Sequence, residues 1–465
     1  MNLIFNVNDR PKFGQVVMFA IQQMLAIMAA TIAVPMIIGN GLTPAAAMFG
    51  AGMGTIVYLM FTKFKSPVFL GSSFAFINSM FAAFAGGVSM SLGWLGLVMG
   101  AVFAGLVYVV IAIIIKKVGV EWLNKLMPAV VIGPTVAIIG LGLAGNAVGD
   151  LVKGDVLNAA GSMAASPYIA MLCGLVTLAV TMLCSTYGKK MMKLIPFIVG
   201  ILSGYALAAI FTVIGNLAGV DALKVIDFSV FGSYMVHDGG VSLRTFLSFP
   251  EFTFTKALQG VSEINLQYVA TIFAAYVPVA FVVFAEHVAD HKNLSSIIGH
   301  DLLKEPGLAN TLLGDGVGSM VGALFGGCPN TTYGESVACV AITRNASVVS
   351  ILAAAIGCIL FSFVTPLVAF VDSIPACVMG GVCVALYGFI AVSGLKMLQT
   401  VDLGQNRNLF VTSTILVCGI GGLTLNFGAI TITSIATALI LGILANVMLS
   451  KEKTDAVDEK NDLQA

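Results

Sequence analysis

The sequence predicts an all-α polytopic membrane protein, with fourteen transmembrane segments arranged as two inverted seven-span repeats. Three observations predict it. The first is composition: 58% of the 465 residues are hydrophobic and 9% are charged, where soluble domains carry about 25% charged residues. The second is that the apolar runs are long and near-continuous. They lack the alternation over about ten residues that marks an outer-membrane barrel, and a helix is the other way for spanning backbone to satisfy its own hydrogen bonds. The third is the placement of the basic residues.

With about 20 apolar residues per span, the segments fall at 14–38, 43–62, 68–85, 92–115, 126–147, 166–187, 194–218, 266–287, 307–326, 329–343, 347–370, 375–395, 408–424 and 429–449. An even number places both termini on one side. With the termini cytoplasmic, the inside segments hold eighteen of the 22 Lys and Arg residues; Lys153, Lys224, Arg244 and Lys256 fall outside. That is the positive-inside bias. The start, "MNLIFNVNDRPKFGQ", reads as a cytoplasmic tail running into the first span, not as a cleaved signal. The polar stretch 219–265, with Asp221, Asp227, His237, Asp238, Glu251 and Glu263, lies outside on this topology and divides seven spans from seven. Halves with an odd number of spans are forced into opposite orientations, which is the arithmetic of an inverted repeat. The end, "KEKTDAVDEKNDLQA", reads as a solvated tail. The eight cysteines form no CxxC pair and read as small buried hydrophobes. Net charge is zero, so nothing favours nucleic acid as a partner.

The third span of each half is interrupted. One reads "SPVFLGSSFAFINSMFAAFAGG" (66–87) and the other "GGCPNTTYGESVACVAIT" (326–343). Paired broken segments at corresponding positions point to a binding site near the bilayer midplane. Most acids lie in tails or loops, but Glu286, Asp290, Asp315 and Glu335 do not. Ionisable groups inside a membrane are expensive and mark function by default. Glu286 and Asp290 are four residues apart on one helical face. Two carboxylates this close in low dielectric titrate as a unit and can carry a proton. His287, one residue off that face, reads as a packing or capping histidine, and Asp315 as a structural or coupling group. Glu335 follows the break at Pro329. A half-helix starting near Tyr333 would present free N–H groups and a positive dipole end to a carboxylate or a polar ligand. "GSSF" at 71–74 could present unwound backbone in the same way, although Ser72 and Ser73 also suit close helix packing. Gln22, Gln23 and Asn78 could each donate to a ligand or bond a neighbouring helix.

"GSSFAFI" (71–77), "AEHVADH" (285–291), "CPNTTYGESVACVAITRNAS" (328–347) and "PACVMGGVCVALYG" (375–388) together resemble the nucleobase–ascorbate transporter family, and within it the bacterial uracil permease branch. The resemblance runs from "RPKFGQ" to the last span. It implies a proton symporter, commonly a dimer, whose third and tenth spans each hold a short extended stretch before a half-helix. It also implies a core domain (spans 1–4 and 8–11) moving against a gate domain (spans 5–7 and 12–14). On this chain 1–147 holds core spans 1–4 and the start of the gate, 148–218 gate spans 6–7, and 219–265 the outer loop. Residues 266–370 then hold core spans 8–11, 371–449 gate spans 12–14, and 450–465 the cytoplasmic tail. By the same resemblance Glu286 and Glu335 accept from the ring N–H groups of a nucleobase, and Phe74 offers a backbone N–H to a ring carbonyl. Tyr333 and Gly334 line the pocket, and Tyr387 covers it from the gate side. Glu286, Asp290, Glu335 and Asp315 are the candidates for the coupled proton. Uracil fits, since it presents two N–H donors and two C=O acceptors.

Four positions depart from the branch pattern. Asp290 stands where the branch has histidine, Gln23 where it has a first-span histidine, and Ser336 and Ala338 replace Asn and Gly of the signature. The expected function is therefore uracil import by proton symport. Purine or xanthine transport and sodium coupling are the alternatives within the family. An anion exchanger would need a basic residue facing the midplane. An enzyme is not expected, because no nucleophile–base pair, metal-ligand spacing or cofactor motif is present.

Overall fold

In this computed structural model, residues 3–119, 121–158, 161–189, 191–236, 242–427 and 430–450 are described. Lys190, His237, Asp238 and the polar tail from Lys451 onward lie outside the described residues.

The chain opens with helices α1 (Phe13–Ile38) and α2 (Pro44–Phe61), then reaches strand β1 (Leu70–Ser72) and the short helix α3 (Ile77–Ala83). It continues through α4 (Met90–Val118), α5 (Ala129–Gly142), α6 (Pro167–Tyr187) and α7 (Pro196–Ala218). Short helical turns fill much of the polar stretch that follows. The second half runs α8 (Leu266–Ile298), α9 (Leu308–Gly326), strand β2 (Asn330–Thr332), α10 (Gly334–Thr343), α11 (Val348–Phe361), α12 (Ala376–Leu398) and α13 (Asn406–Ile420). A hairpin, β3 (Leu425–Phe427) and β4 (Ile430–Ile432), precedes α14 (Ser434–Met448). Among the described residues, nine helical segments are long and apolar enough to cross a membrane, and the segments of α3, α10, α11 and α14 are apolar but shorter. The protein is a helical, multi-pass membrane protein.

The segment expected at 266–287 continues to Ile298, where Gly299 adopts a left-handed cap. Hydropathy falls after His287, but His287 and His291 are buried and find polar partners in the interior. The segment expected at 347–370 breaks at 362–364 and restarts as a second helix, Thr365–Asp372, with Pro366 in its first turn. Proline lacks the N–H that a continuous helix would require and its fixed φ suits a first turn, so one helix ends before Pro366 and another starts with it in the first turn. All eight cysteines are free, and seven are buried.

Close packing comes from small residues, as in other membrane interiors. In α2, a Cβ added at Gly54 would sit 2.7 Å from the Gly318 carbonyl of α9. Likewise, a Cβ at Gly394 of α12 would sit 2.4 Å from the Gly133 carbonyl of α5. The strand pair β1 and β2 packs against α1, α2, α8 and α9.

Candidate binding cavity

The two interrupted segments meet. Strands β1 and β2 pair antiparallel, with Leu70 opposite Thr332, Gly71 opposite Thr331 and Ser72 opposite Asn330. The ladder is extended at both ends: Ser73 N–H donates to the Pro329 carbonyl at 2.9 Å, and Tyr333 N–H donates to the Phe69 carbonyl at 3.1 Å. Backbone that leaves a helix inside a membrane must find partners, and here each broken segment supplies them to the other. Asn330 anchors the pair, its side-chain amide donating to the Gly50 carbonyl of α2 at 3.2 Å.

Each strand then turns into a helical start, Phe74–Phe76 and α3 on one side and α10 on the other. First-turn N–H groups have no intrahelical acceptor. Among the described residues, none accepts from the N–H groups of Phe74, Ala75, Gly334 or Ser336. Tyr333 locks the junction, since its hydroxyl donates to the Ser72 carbonyl at 2.8 Å. Its ring lies where a side chain at position 71 would be: a Cβ added to Gly71 would meet the ring at 2.3 Å. That close approach is why position 71 carries glycine.

A cavity of about 390 Å³ opens beside this junction. Its wall includes Glu286 and Asp290 of α8, Glu335 and Gly334 of α10, and Phe74 and Tyr333. Six of the eight residues singled out from the sequence therefore face one space. Tyr387 and Asp315 do not line it. Tyr387 packs behind Phe74, ring edge to face, with centroids 5.8 Å apart. Asp315 is fully buried behind His287. Ile139 of α5 and Phe197 of α7 supply apolar wall, and exposed Lys193 is one basic residue in the lining.

Behind the carboxylates lies a sealed polar network that sequence reasoning did not assemble. Asp290 accepts from the Thr332 hydroxyl at 2.9 Å, which ties α8 to β2. His287 Nδ1 meets Asp315 Oδ2 at 2.7 Å, and its Nε2 lies 3.0 Å from the Thr311 hydroxyl. His291 Nδ1–H donates to the His287 carbonyl at 2.8 Å, and its Nε2 meets the Tyr58 hydroxyl at 2.6 Å. The two imidazole rings lie 4.0 Å apart between centroids. His287, expected to pack or to cap a hydrogen bond, does so with Asp315 and Thr311, and together with His291 it links α8 to α9 and α2. The signal was present in the sequence, because Glu286/Asp290 and His287/His291 are two adjacent i,i+4 pairs on one helix.

Ser336 shows what replaced the signature asparagine. Its hydroxyl accepts from Phe69 N–H at 2.9 Å and from the Gln23 side chain of α1. It thus braces α10 against both α1 and the strand pair.

A helical membrane protein with a solute-sized, carboxylate-bearing cavity between two broken segments is built as a permease. The comparisons agree: the model of the Permease family matches residues 14–428, and the chain belongs to that family, one of transporters and not enzymes. It is 40% identical to the uracil permease of Bacillus caldolyticus, covering 96% of this chain and 94% of that one. It is 36% identical to the uracil permease of Bacillus subtilis over 97% and 96%, and 35% identical to that of Escherichia coli K12 over 94% and 92%. Among solved structures, the transmembrane domain of a cyanobacterium bicarbonate transporter matches with a TM-score of 0.61 at 13% identity, covering 95% of this chain and 100% of that one. The murine Solute Carrier 26 member A9 anion transporter matches with 0.61 at 11% identity, covering 96% and 70%. These two likenesses are of fold.

Proposed function

We propose that the protein imports uracil across the cytoplasmic membrane by proton symport. One observation carries the reading: Glu286 and Glu335, from separate helices, face the same cavity as the unsatisfied N–H groups at Phe74 and Gly334. A cyclic imide needs that combination, carboxylate acceptors for its two N–H groups and backbone donors for its two carbonyls. Full-length similarity to uracil permeases supports the same substrate. Asp290, at the edge of the cavity, and Asp315, behind His287, are the further groups proposed to handle the coupled proton, with Tyr333 and Tyr387 shaping the pocket.

The topology proposed with it has fourteen spans in two inverted halves, both termini cytoplasmic, and a core group of helices moving against a gate group. Lys193 and Met397, at the mouth of the cavity, then lie toward the cytoplasm, so the structure is read as inward-facing. A homodimer is proposed from the family resemblance.

The test is uptake of labelled uracil into proteoliposomes under an inward proton gradient, a sodium gradient, or none. Uptake driven by the proton gradient, and competed by uracil ahead of xanthine, is expected. Uptake that follows sodium, or that xanthine competes better than uracil, would contradict the reading.

A further inference from the structure

A second cavity, of about 700 Å³, lies at the far end of the broken segment from the first. It is bounded by the end of α3, the starts of α4, α8 and α14, and the ends of α5 and α13. Fifteen residues of α8 separate Thr271 on its wall from Glu286 in the first cavity, roughly 22 Å of helix. On α5 the barrier is thin: Ile138 lines the second cavity and its neighbour Ile139 lines the first. The seven-residue α3 forms the rest of the partition, with Phe74 ahead of it facing one space and Phe81 facing the other.

The chemistry of the two walls differs. Three carboxylates and a lysine line the first cavity, while among the described residues no Asp, Glu, Lys, Arg or His lines the second. Its polar groups are carboxamides and hydroxyls, Asn78, Asn265, Gln267 and Ser434 among them. Asn78 is half-buried, and its carboxamide has no hydrogen-bond partner among the described residues. Asn265 uses its oxygen to cap Tyr268 N–H at 2.8 Å, which leaves its NH₂ group available. The Tyr268 ring is held rigidly on the wall, since its hydroxyl is committed to the Ala83 and Leu92 carbonyls at 2.8 and 2.9 Å. A carboxamide offers both donor and acceptor, and a fixed aromatic face offers a stacking surface.

We propose that this outer cavity is a second, weaker binding site for flat, uncharged heterocycles that carry amide-type N–H and C=O groups, and that it holds the solute before the carboxylate site turns outward. The proposal rests on the reading of the chain as an importer, which sets the outer side. It deepens that reading by placing a first selection step, one that passes neutral solutes and turns away charged analogues, ahead of the acidic site.

Two measurements test it. Asn78→Ala is expected to raise the external half-saturating uracil concentration at least threefold in proteoliposomes, while the equilibrium binding midpoint in detergent stays at the wild-type value. Separately, Gln267→Cys is labelled from outside with a membrane-impermeant thiol reagent, with the unsubstituted chain as background. Uracil is expected to slow labelling even when Glu335→Gln has disabled the inner site, and a ring-carboxylated analogue is expected not to. Unchanged half-saturation together with labelling indifferent to uracil in both backgrounds would identify a water-filled vestibule and overturn the proposal. Absence of uracil uptake by the wild type would instead overturn the importer reading.

Discussion

Residues 70–83 and 330–343 share one local build and differ in what they offer. Each is a three-residue strand that turns into a short helix with unsatisfied first-turn N–H groups. The first carries hydroxyls and aromatic rings, and its Ser73 hydroxyl has no partner among the described residues. The second carries Glu335, and its Ser336 hydroxyl is bonded to both Phe69 and Gln23. An acidic group in a membrane interior is held where the backbone around it is fixed; a neutral donor edge needs no such brace. The comparison teaches that paired segments can share geometry while only one bears charge: both present free backbone N–H groups, and only the second adds a carboxylate acceptor for the proposed solute.

The largest expected effect comes from removing that acceptor. Glu335→Gln should weaken uracil binding about 10- to 100-fold, the loss of a hydrogen bond to a charged group. Ser73→Ala, at the corresponding turn of the other segment, should shift binding less than threefold. Equal effects in the two would break the asymmetry. Next comes the lock between the segments. Gly71→Ala forces a methyl group into the Tyr333 ring, and overpacking of this kind costs about 1–3 kcal/mol. Lower thermal stability and impaired uptake are expected together, and a neutral result would mean that Tyr333 is free to move.

A smaller effect sharpens the bracing argument. Ser336→Ala leaves the buried Phe69 N–H and the Gln23 amide without their acceptor, costing about 1–3 kcal/mol. Thermal unfolding should show a loss larger than that of Ser73→Ala. The smallest effect lies away from the cavity and serves as a control. Asp155, in the segment between α5 and α6, accepts from Ala376 N–H at 3.1 Å, and burial pushes its carboxyl up to about 6. The native state therefore keeps this proton across a range in which the unfolded chain has already lost it, so ionisation disfavours the fold as pH rises from about 4 to 6. Stability should increase modestly on acidification from pH 7 to 5, and Asp155→Asn should flatten that dependence without altering uracil affinity. A steeper dependence in the variant would contradict the sign.

Much of this was legible from the chain alone. Hydropathy placed the helices, and the two broken segments stood out because proline, glycine and hydroxyl residues interrupted apolar runs. The pairing of the two breaks was read from the residues themselves, whereas a shared site for Glu286 and Glu335 was implied by the family resemblance. What escaped was decided by direction rather than by residue type. A hydropathy window registers His287 and His291 as polar but not the inward face on which they meet Asp315 and Tyr58. Hence the eighth segment looked eleven residues shorter than α8 is. Tyr387 has the right neighbourhood but lies one ring behind the wall, a distinction that depends on the packing of α12 against the start of α3. Ser336 stood only as a departure from the signature, because the tertiary structure alone places Gln23 and Phe69 beside it.

The most direct test is isothermal titration of purified protein with uracil, comparing wild type, Glu335→Gln and Ser73→Ala at one pH. The account predicts a loss of at least tenfold for Glu335→Gln and near-wild-type affinity for Ser73→Ala. Wild-type affinity in Glu335→Gln would contradict it.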